Sequence, residues 1–556
     1  MNRDNDESYI SELTDRIFLI QSQFEAGKLF ISSHLEDGFK KSFEKIRLRG
    51  DGKVDPATVD GRIRAMGVAV QHFFERSEIK RKYSIIDFQE AYFRILFENF
   101  SSFYDDLIKS KAEPYKIAHF LSEQEDFVNY IQDIFPDLYG DIKDFWSAAY
   151  EIGEIHLQDG DQLKANFAGD LFPSYNENAV SSTGLYIDTI ILPCPILRVG
   201  GLYAAAEKGQ FCYLLIKHVL TCMTYRELAL EEIEPAIALV LPEKNNFNDE
   251  DRESLRQRSL PFILAHAHYL YDREFEGMEE LQEFSSSLNN FDKLFKELKR
   301  PDRLLFDTEW GPAGRAQLEK HMSSRERINT PDLDGTPGME VLFSCLSRMP
   351  QALAARIKAQ ELRSTPYINA ETSWTYFKWL MEYEALGFKF DAEAVKDLHM
   401  VNALTKGMSD GFSWLGNIPI KNILEIRRNG LMPEVRDILS NGVSELINSS
   451  PSNYDATSQK VVDNVDMALI QHQRFLEKVR REKLKIYGLE LIPFIVNGAF
   501  GMASALVNKP ELALTSAVLG SVGLPTLKDI RSSFKNNQEK MLNYKKTATG
   551  LMFSRK

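Results

Sequence analysis

Four polar residues follow two short apolar runs and could together form a hydrolytic or phosphoryl-transfer site. Glu243 and Lys244 follow one run, and Asp307 and Glu309 follow the next. If the two runs are strands of a parallel sheet, these residues lie beyond the carboxyl ends of the strands, where ligands bind. Three carboxylates and a lysine that converge there could hold a divalent metal. The spacing is not diagnostic, however. Acidic residues after strands also cap helices and face water, and we prefer that interpretation.

Two histidines near acidic residues are candidate metal ligands. In LAHAHYLYDREF, His268 and Asp272 are four residues apart and share a helix face, with Glu274 close by. His266 lies about 200° around the same helix, so both imidazoles cannot bind one ion. Packing and capping are therefore the preferred roles for these residues.

The segment RAQLEKH places Arg315 and His321 on either side of five residues. This spacing resembles the active-site motif of HEPN-type ribonucleases, in which two helical motifs meet at a dimer interface and act on the scissile phosphate. Ala316 departs from the polar residue that usually follows the Arg. The resemblance covers seven residues and implies a ribonuclease only as a weaker variant of the hydrolase hypothesis.

The elements that would position the four polar residues alternate between strand and helix. The apolar runs at Leu185, Ala236 and Leu304 are separated by helical patterns, which indicates βαβ units. We therefore expect a small parallel sheet within residues 185–307, with these three runs as adjacent strands. The chain contains no Walker A motif, dinucleotide-binding glycine pattern, zinc-protease helix or nucleophile elbow.

Helical periodicity dominates the rest of the chain, so the predicted fold class is mainly α. Helical bundle regions flank the small central α/β module, with Pro114 and Pro136 taken as helix ends. Residues 159–184 are predicted to form a linker or long loop. The predicted regions are an N-terminal helical region (1–158), the α/β module (185–322), a C-terminal helical region (339–487) and an apolar helical hairpin with a basic tail (488–556).

Composition limits the classes of function. The 556 residues carry a formal charge of −14, which argues against a general nucleic-acid coat. The four cysteines lack a zinc, redox or disulfide spacing and are expected to be reduced, buried thiols. The polar N-terminus resembles no signal peptide, so the expected compartment is the cytoplasm.

The C-terminal segment differs from the rest in charge and hydropathy. Residues 474–556 hold 15 Lys and Arg against 6 Asp and Glu, a net charge of +9. Within them, residues 491–507 and 512–527 are uncharged, and each is slightly short of a bilayer core. We prefer a buried hairpin, with membrane insertion of Leu491 to Leu527 as the alternative. Basic residues flank both ends, as expected if both ends stay cytoplasmic.

These patterns predict a cytoplasmic interaction or scaffold protein that docks, through its hairpin and basic tail, on a protein partner or an anionic membrane surface. Nucleic-acid binding is expected at most locally, at the basic C-terminus. The alternative function is a metal-dependent hydrolase or nuclease that uses Glu243, Lys244, Asp307 and Glu309. A divalent metal is expected only for that alternative.

Overall fold

Helices make up most of the protein, as the periodicity predicts. The computed structural model describes residues 6–29, 33–169, 180, 183–323, 335–385, 392–406, 420–449 and 453–485. The protein is mainly α, with a small central α/β module. The predicted C-terminal hairpin lies outside the described residues. The helices that precede the sheet are α1 (Glu7–Glu25), α2 (Ser33–Phe43), α3 (Gly61–Lys82), α4 (Ile85–Ser110), α5 (Pro114–Ser122) and α6 (Glu125–Gln158).

The remaining helices alternate with or follow the strands. They are α7 (Pro195–Gly200), α8 (Lys208–Met223), α9 (Arg226–Ala229), α10 (Asp249–Tyr271), α11 (Met278–Ser287), α12 (Phe291–Glu297), α13 (Arg315–Ser323), α14 (Pro337–Val341), α15 (Arg348–Leu362), α16 (Glu371–Ala385), α17 (Ala392–Lys406), α18 (Ile420–Arg428), α19 (Met432–Ser440), α20 (Val443–Ser449) and α21 (Tyr454–Lys485). Single 3₁₀ turns occur at Pro56–Thr58, Lys244–Asn246, Pro301–Arg303 and Thr308–Trp310, and a π-helical turn at Leu342–Leu346.

The chain forms two compact units. The first contains the described residues within 1–88 and 151–159, and the second contains those within 89–150 and 160–556. In the first unit, α1 packs against α3, and a core forms from apolar residues spaced three and four apart. Its buried members are Leu13, Ile17, Ile20, Val54, Val59, Ile63 and Val70.

One of the two proline predictions is confirmed and the other is wrong. α4 ends at Ser110, shortly before Pro114, as predicted, and Pro114 itself occupies the first turn of α5, where its missing N–H has no intrahelical partner to lose. Pro136 lies inside α6, which continues to Gln158. A proline frees the carbonyl four residues earlier. That carbonyl, of Gln132, accepts a hydrogen bond from the Tyr203 hydroxyl at 2.9 Å, which offsets the loss.

The sheet in the second unit consists of four parallel strands in the order β3-β2-β1-β4. The strands are β1 (Lys164–Phe167), β2 (Thr189–Leu192), β3 (Ala238–Val240) and β4 (Thr365–Tyr367). All four strands are buried along their whole length, as expected of a parallel sheet covered on both faces. The parallel sheet and the pairing of the runs near Leu185 and Ala236 are therefore confirmed.

The third predicted strand is wrong. The run at Leu304 follows the 3₁₀ turn Pro301–Arg303 and has no strand partner. Instead, the Leu305 carbonyl accepts a hydrogen bond from the Tyr376 hydroxyl at 2.6 Å. The sheet is completed by β1, from the segment read as a linker, and by β4, from the segment read as wholly helical. These two strands, of four and three residues, are too short to show a hydrophobic period in the sequence.

One edge of the sheet is closed by a side chain. The amide of Gln89, on α4, donates to the Val240 carbonyl at 2.9 Å and accepts from the Val240 N–H at 2.8 Å. Gln89 is fully buried, so these bonds replace those that a further strand would make to β3. This position of α4 fixes the edge of the sheet next to the site described below.

Candidate functional site

Glu243 lies at the carboxyl edge of the sheet, three residues after β3 ends. It meets Arg198, which lies on α7, a helix that begins three residues after β2. Arg198 Nη2 and Glu243 Oε1 are 3.1 Å apart. Because β2 and β3 are adjacent and parallel, the chain after each strand emerges at the same edge, which brings these two residues together.

A buried ionic cluster forms around Glu243. Lys358, on α15, places its ammonium 3.7 Å from Glu243 Oε1 and donates to the Leu241 carbonyl at 2.7 Å. The side-chain amide of Asn246 donates to Glu243 Oε2 at 2.8 Å. Glu243 is 8% exposed and Lys358 is 3% exposed. Charges at this depth are tolerated because each is paired and hydrogen-bonded.

The partners set the charge of the cluster. Burial raises the pKa of Glu243, but the charges of Arg198 and Lys358 outweigh burial and hold that pKa below its usual value. Burial also lowers the pKa of Lys358, against the attraction of Glu243. The cluster forms a buried, polar floor beneath a surface cleft.

The walls of this cleft are faces of α10 and α15, two helices that pack against each other. Each helix contributes residues at positions i, i+3, i+4 and i+7, which lie on one face. The lining residues are Asp251, Ser254, Leu255 and Arg258 from α10, Ala354, Ile357, Lys358 and Glu361 from α15, and Tyr150, Glu243, Lys244 and Asn245. We call this the α10–α15 cleft; it is shallow, open to solvent and has a cavity volume of about 50 Å³.

Among the described residues, the sequence-predicted carboxylates form no group of three that could hold a metal ion. Glu243 and Lys244 line the cleft, with Lys244 Nζ 5.0 Å above the ring of Tyr150. Asp307 instead caps the 3₁₀ turn Thr308–Trp310, where its carboxylate accepts from the Glu309 N–H at 2.9 Å. Glu309 is exposed. Next to Asp307, the Thr308 N–H donates to the Thr372 hydroxyl at 2.9 Å, near the start of α16, the helix that follows β4.

The histidine candidates do not form a metal site, and the buried Nδ1 of His268 makes no hydrogen bond to any of the residues described. Asp272 ends α10 in the left-handed conformation, with φ of 52°, and its N–H bonds the His268 carbonyl at 2.7 Å. His266 is fully buried, and its Nδ1 lies 2.7 Å from the hydroxyl of Tyr383. Within the described chain, no group of three or more His, Cys, Asp or Glu side chains could hold a metal ion.

The HEPN-like pair does not form one cluster on α13. Arg315 is exposed and pairs with Glu319 at 2.7 Å, on the same helix. His321 stacks on Phe306 and lies 3.0 Å from the buried carboxylate of Glu340. Each member of the pair thus has a separate set of neighbours.

Sequence reasoning missed three cations at the site: Arg198, Lys358 and Arg258. Arg198 and Lys358 carried no motif, because their role depends on pairing with a distant residue. Arg258 could have been found from the i, i+3, i+4, i+7 face of α10. The four cysteines, in contrast, are buried free thiols, as expected from their spacing.

Fold and site together define a mainly helical protein whose small parallel α/β module carries a polar cleft at the carboxyl edge of its sheet. Comparisons with protein-family models, curated proteins and solved structures find no match to this chain. No helix among the described residues is both long enough and apolar enough to cross a membrane. The function must therefore be argued from the chain itself.

Proposed function

We propose that this protein is a cytoplasmic docking protein whose C-terminal part, residues 474–556, binds an anionic membrane surface. The observation that carries the proposal is α21, a single helix that is fixed to the second unit at one end and is helical up to Lys485. This helix joins the folded unit directly to the basic and apolar C-terminal sequence.

The first half of α21 is held by specific contacts. The ring of Tyr454 stacks on His399 at a centroid distance of 4.0 Å, and His399 Nδ1 lies 2.9 Å from the Thr457 hydroxyl. Further along, the side-chain amide of Asn464 donates to the carbonyls of Leu439 and Asn441, both at 2.9 Å. These contacts fix where the helix begins and in which direction it runs.

The second half of α21 differs in its described side chains. Ala468 is buried, whereas Ile470, Gln471 and Arg474 are exposed. The helical backbone continues for 17 residues after Ala468, a length of about 25 Å at 1.5 Å per residue. We call residues 469–485 the C-terminal arm.

The chemistry of the arm and of the sequence that follows it suits an anionic surface. Arg480, Arg481, Lys483 and Lys485 end the arm, and the uncharged runs 491–507 and 512–527 follow. Lys and Arg near an anionic leaflet contribute about 1 kcal/mol each, and apolar side chains add affinity by entering the interface. Residues 1–473 carry −23, so the attraction is confined to the C-terminal part.

Vesicle sedimentation of the full chain tests the proposal. We expect binding to phosphatidylcholine vesicles that contain phosphatidylserine, and much weaker binding to phosphatidylcholine alone. The variant Arg480→Glu, Arg481→Glu, Lys483→Glu should bind the anionic vesicles at least 100-fold more weakly, because about 3 kcal/mol of attraction is lost. Circular dichroism verifies that the variant keeps its helical content.

A matched variant separates a local effect from total charge. Lys293, Lys296 and Lys299 are exposed at and beside α12, and their replacement by Glu changes the net charge equally. This control should retain vesicle binding. Equal losses in the two variants, or no binding of the unaltered chain to anionic vesicles, would refute membrane docking and favour a protein partner instead.

The hydrolase or nuclease alternative has no observation that favours it. It relied on Glu243, Asp307 and Glu309 together holding a metal ion, and the described residues contain no such group. Glu243 is in addition engaged by Arg198 and Lys358.

A further inference from the structure

Cations from three separate elements line the α10–α15 cleft. The proposed docking function does not involve this cleft. Lys244 comes from the turn after β3, Arg258 from α10 and Lys358 from α15. Convergence of three cations on one cleft disfavours folding unless anions compensate for their repulsion.

The carboxylates of Asp251, Glu361 and Glu243 line the same cleft and equal the three cations in number, and Glu243 belongs to the buried floor. Its two carboxylate oxygens are occupied by Arg198, by Asn246 and, at a longer distance, by Lys358. It therefore balances the buried floor and has little capacity left for the rim. Arg258 lies on the rim and is exposed to solvent.

Arg258 is distinguished from its neighbours on α10 by having no ionic partner among the described residues. Arg252 pairs with Asp249 at 3.2 Å, and Arg256 pairs with Glu253 at 3.8 Å. Across the described part of the chain, Arg258 makes neither an ion pair nor a side-chain hydrogen bond. A guanidinium on a cleft wall, with its five donors available, suits bidentate binding of a phosphate.

The other lining groups restrict the ligand. Ser254 is one turn before Arg258 on the same face, so its hydroxyl can add a hydrogen bond to the same anion. Leu255, Ala354 and Ile357 supply an apolar wall. Two acidic residues, Asp251 and Glu361, also line the cleft and oppose a ligand with several anionic groups spread along its length.

We propose that the α10–α15 cleft is a binding site for a small molecule that carries one phosphate group and an apolar or aromatic body. Arg258, Lys244 and Ser254 would bind the phosphate, with Lys358 as a cation in the floor. The apolar wall would contact the body. The site lies at the carboxyl edge of a parallel sheet, where such folds commonly bind ligands.

Isothermal titration calorimetry of the full chain with adenosine monophosphate tests this site, with adenosine and benzoate as comparison ligands. We expect saturable binding of the monophosphate, weaker binding of adenosine and weaker binding of benzoate. Arg258→Ala should lower the affinity for the monophosphate at least tenfold, as expected when a charge-assisted hydrogen-bonding partner is lost. All variants change side chains on the surface of α10, so folding should be retained.

Two further variants on α10 give opposite expectations. Arg256→Ala removes an equal charge from a residue that does not line the cleft, and should leave the affinity unchanged. Asp251→Asn removes a repelling carboxylate and should raise the affinity roughly threefold. The proposal is overturned if the monophosphate does not bind saturably, if Arg256→Ala weakens binding as much as Arg258→Ala, or if benzoate binds as tightly as the monophosphate.

Discussion

The buried imidazole of His266 should make the protein lose stability in mild acid. Burial, together with the nearby positive charge of Arg303, lowers the pKa of His266 from 6.5 to about 3. Arg303 Nη1 donates to the Tyr383 hydroxyl at 3.2 Å, so that hydroxyl can give its own proton to His266 Nδ1 at 2.7 Å. The neutral ring therefore serves as an acceptor.

The magnitude follows from the difference between the two pKa values. Above pH 6.5 the imidazole is neutral in both folded and unfolded chains and contributes no pH dependence. Below pH 6.5 the unfolded chain binds a proton that the folded chain does not, so the free energy of unfolding falls as pH falls toward 3. At about 1.36 kcal/mol per pH unit, the loss between pH 6.5 and pH 5 is about 2 kcal/mol.

The assay is urea unfolding at pH 7 and pH 5, followed by tryptophan fluorescence, because the ring of Trp379 lies 5.0 Å from that of His266. In His266→Gln, the decrease in unfolding free energy between the two pH values should be smaller than in the unaltered chain by about 2 kcal/mol. His72→Gln removes a histidine whose side chain is 72% exposed and should leave the decrease unchanged. An unaltered decrease in His266→Gln would refute a neutral, buried His266.

Two further substitutions test the sheet and its buried cluster. Glu243→Ala should lower the free energy of unfolding by about 3 to 5 kcal/mol, because it leaves Arg198 and Lys358 without their shared anion, whereas Glu309→Ala on the surface should change it by less than about 0.5 kcal/mol. If Glu243→Ala lowered the free energy of urea unfolding as little as Glu309→Ala, the buried cluster would be contradicted. Gln89→Leu should lower the midpoint of thermal unfolding clearly, because the N–H and carbonyl of Val240 lose their partners, at a cost of about 1 to 3 kcal/mol per buried group. The same change at Gln124, which lies at the surface, should have little effect. A midpoint that stays unchanged in Gln89→Leu would show that the edge of β3 is closed in another way.

The effect predicted for Glu243→Ala differs from what the sequence alone leads us to expect. A carboxylate after a strand is most often solvated, which predicts that Glu243, Asp307 and Glu309 contribute little to stability compared with a buried residue such as Ile190. That premise fits the exposed Glu309. It does not fit Glu243, which is 8% exposed and paired with two cations.

The sequence by itself determined the mainly helical class, the parallel module and the state of the cysteines. Helical periodicity, as in Leu13, Ile17 and Ile20, reports burial of one face and is a local property of the chain. The strands near Leu185 and Ala236 were evident because β-branched or apolar runs ended in prolines. The four cysteines lacked any paired spacing, and all are buried and free.

Only the tertiary structure decided which short segments became strands and which charged residues met. A strand of three or four residues gains its stability from its neighbours, so β1 and β4 resembled linker and helix until the sheet paired them. Pro136 is tolerated because Tyr203, 67 positions later, bonds the carbonyl that it frees. In the same way, Glu243 is a buried ion and not a solvated cap because Arg198 and Lys358 reach it from different helices, and their sequence separation hides the pairing from any local pattern.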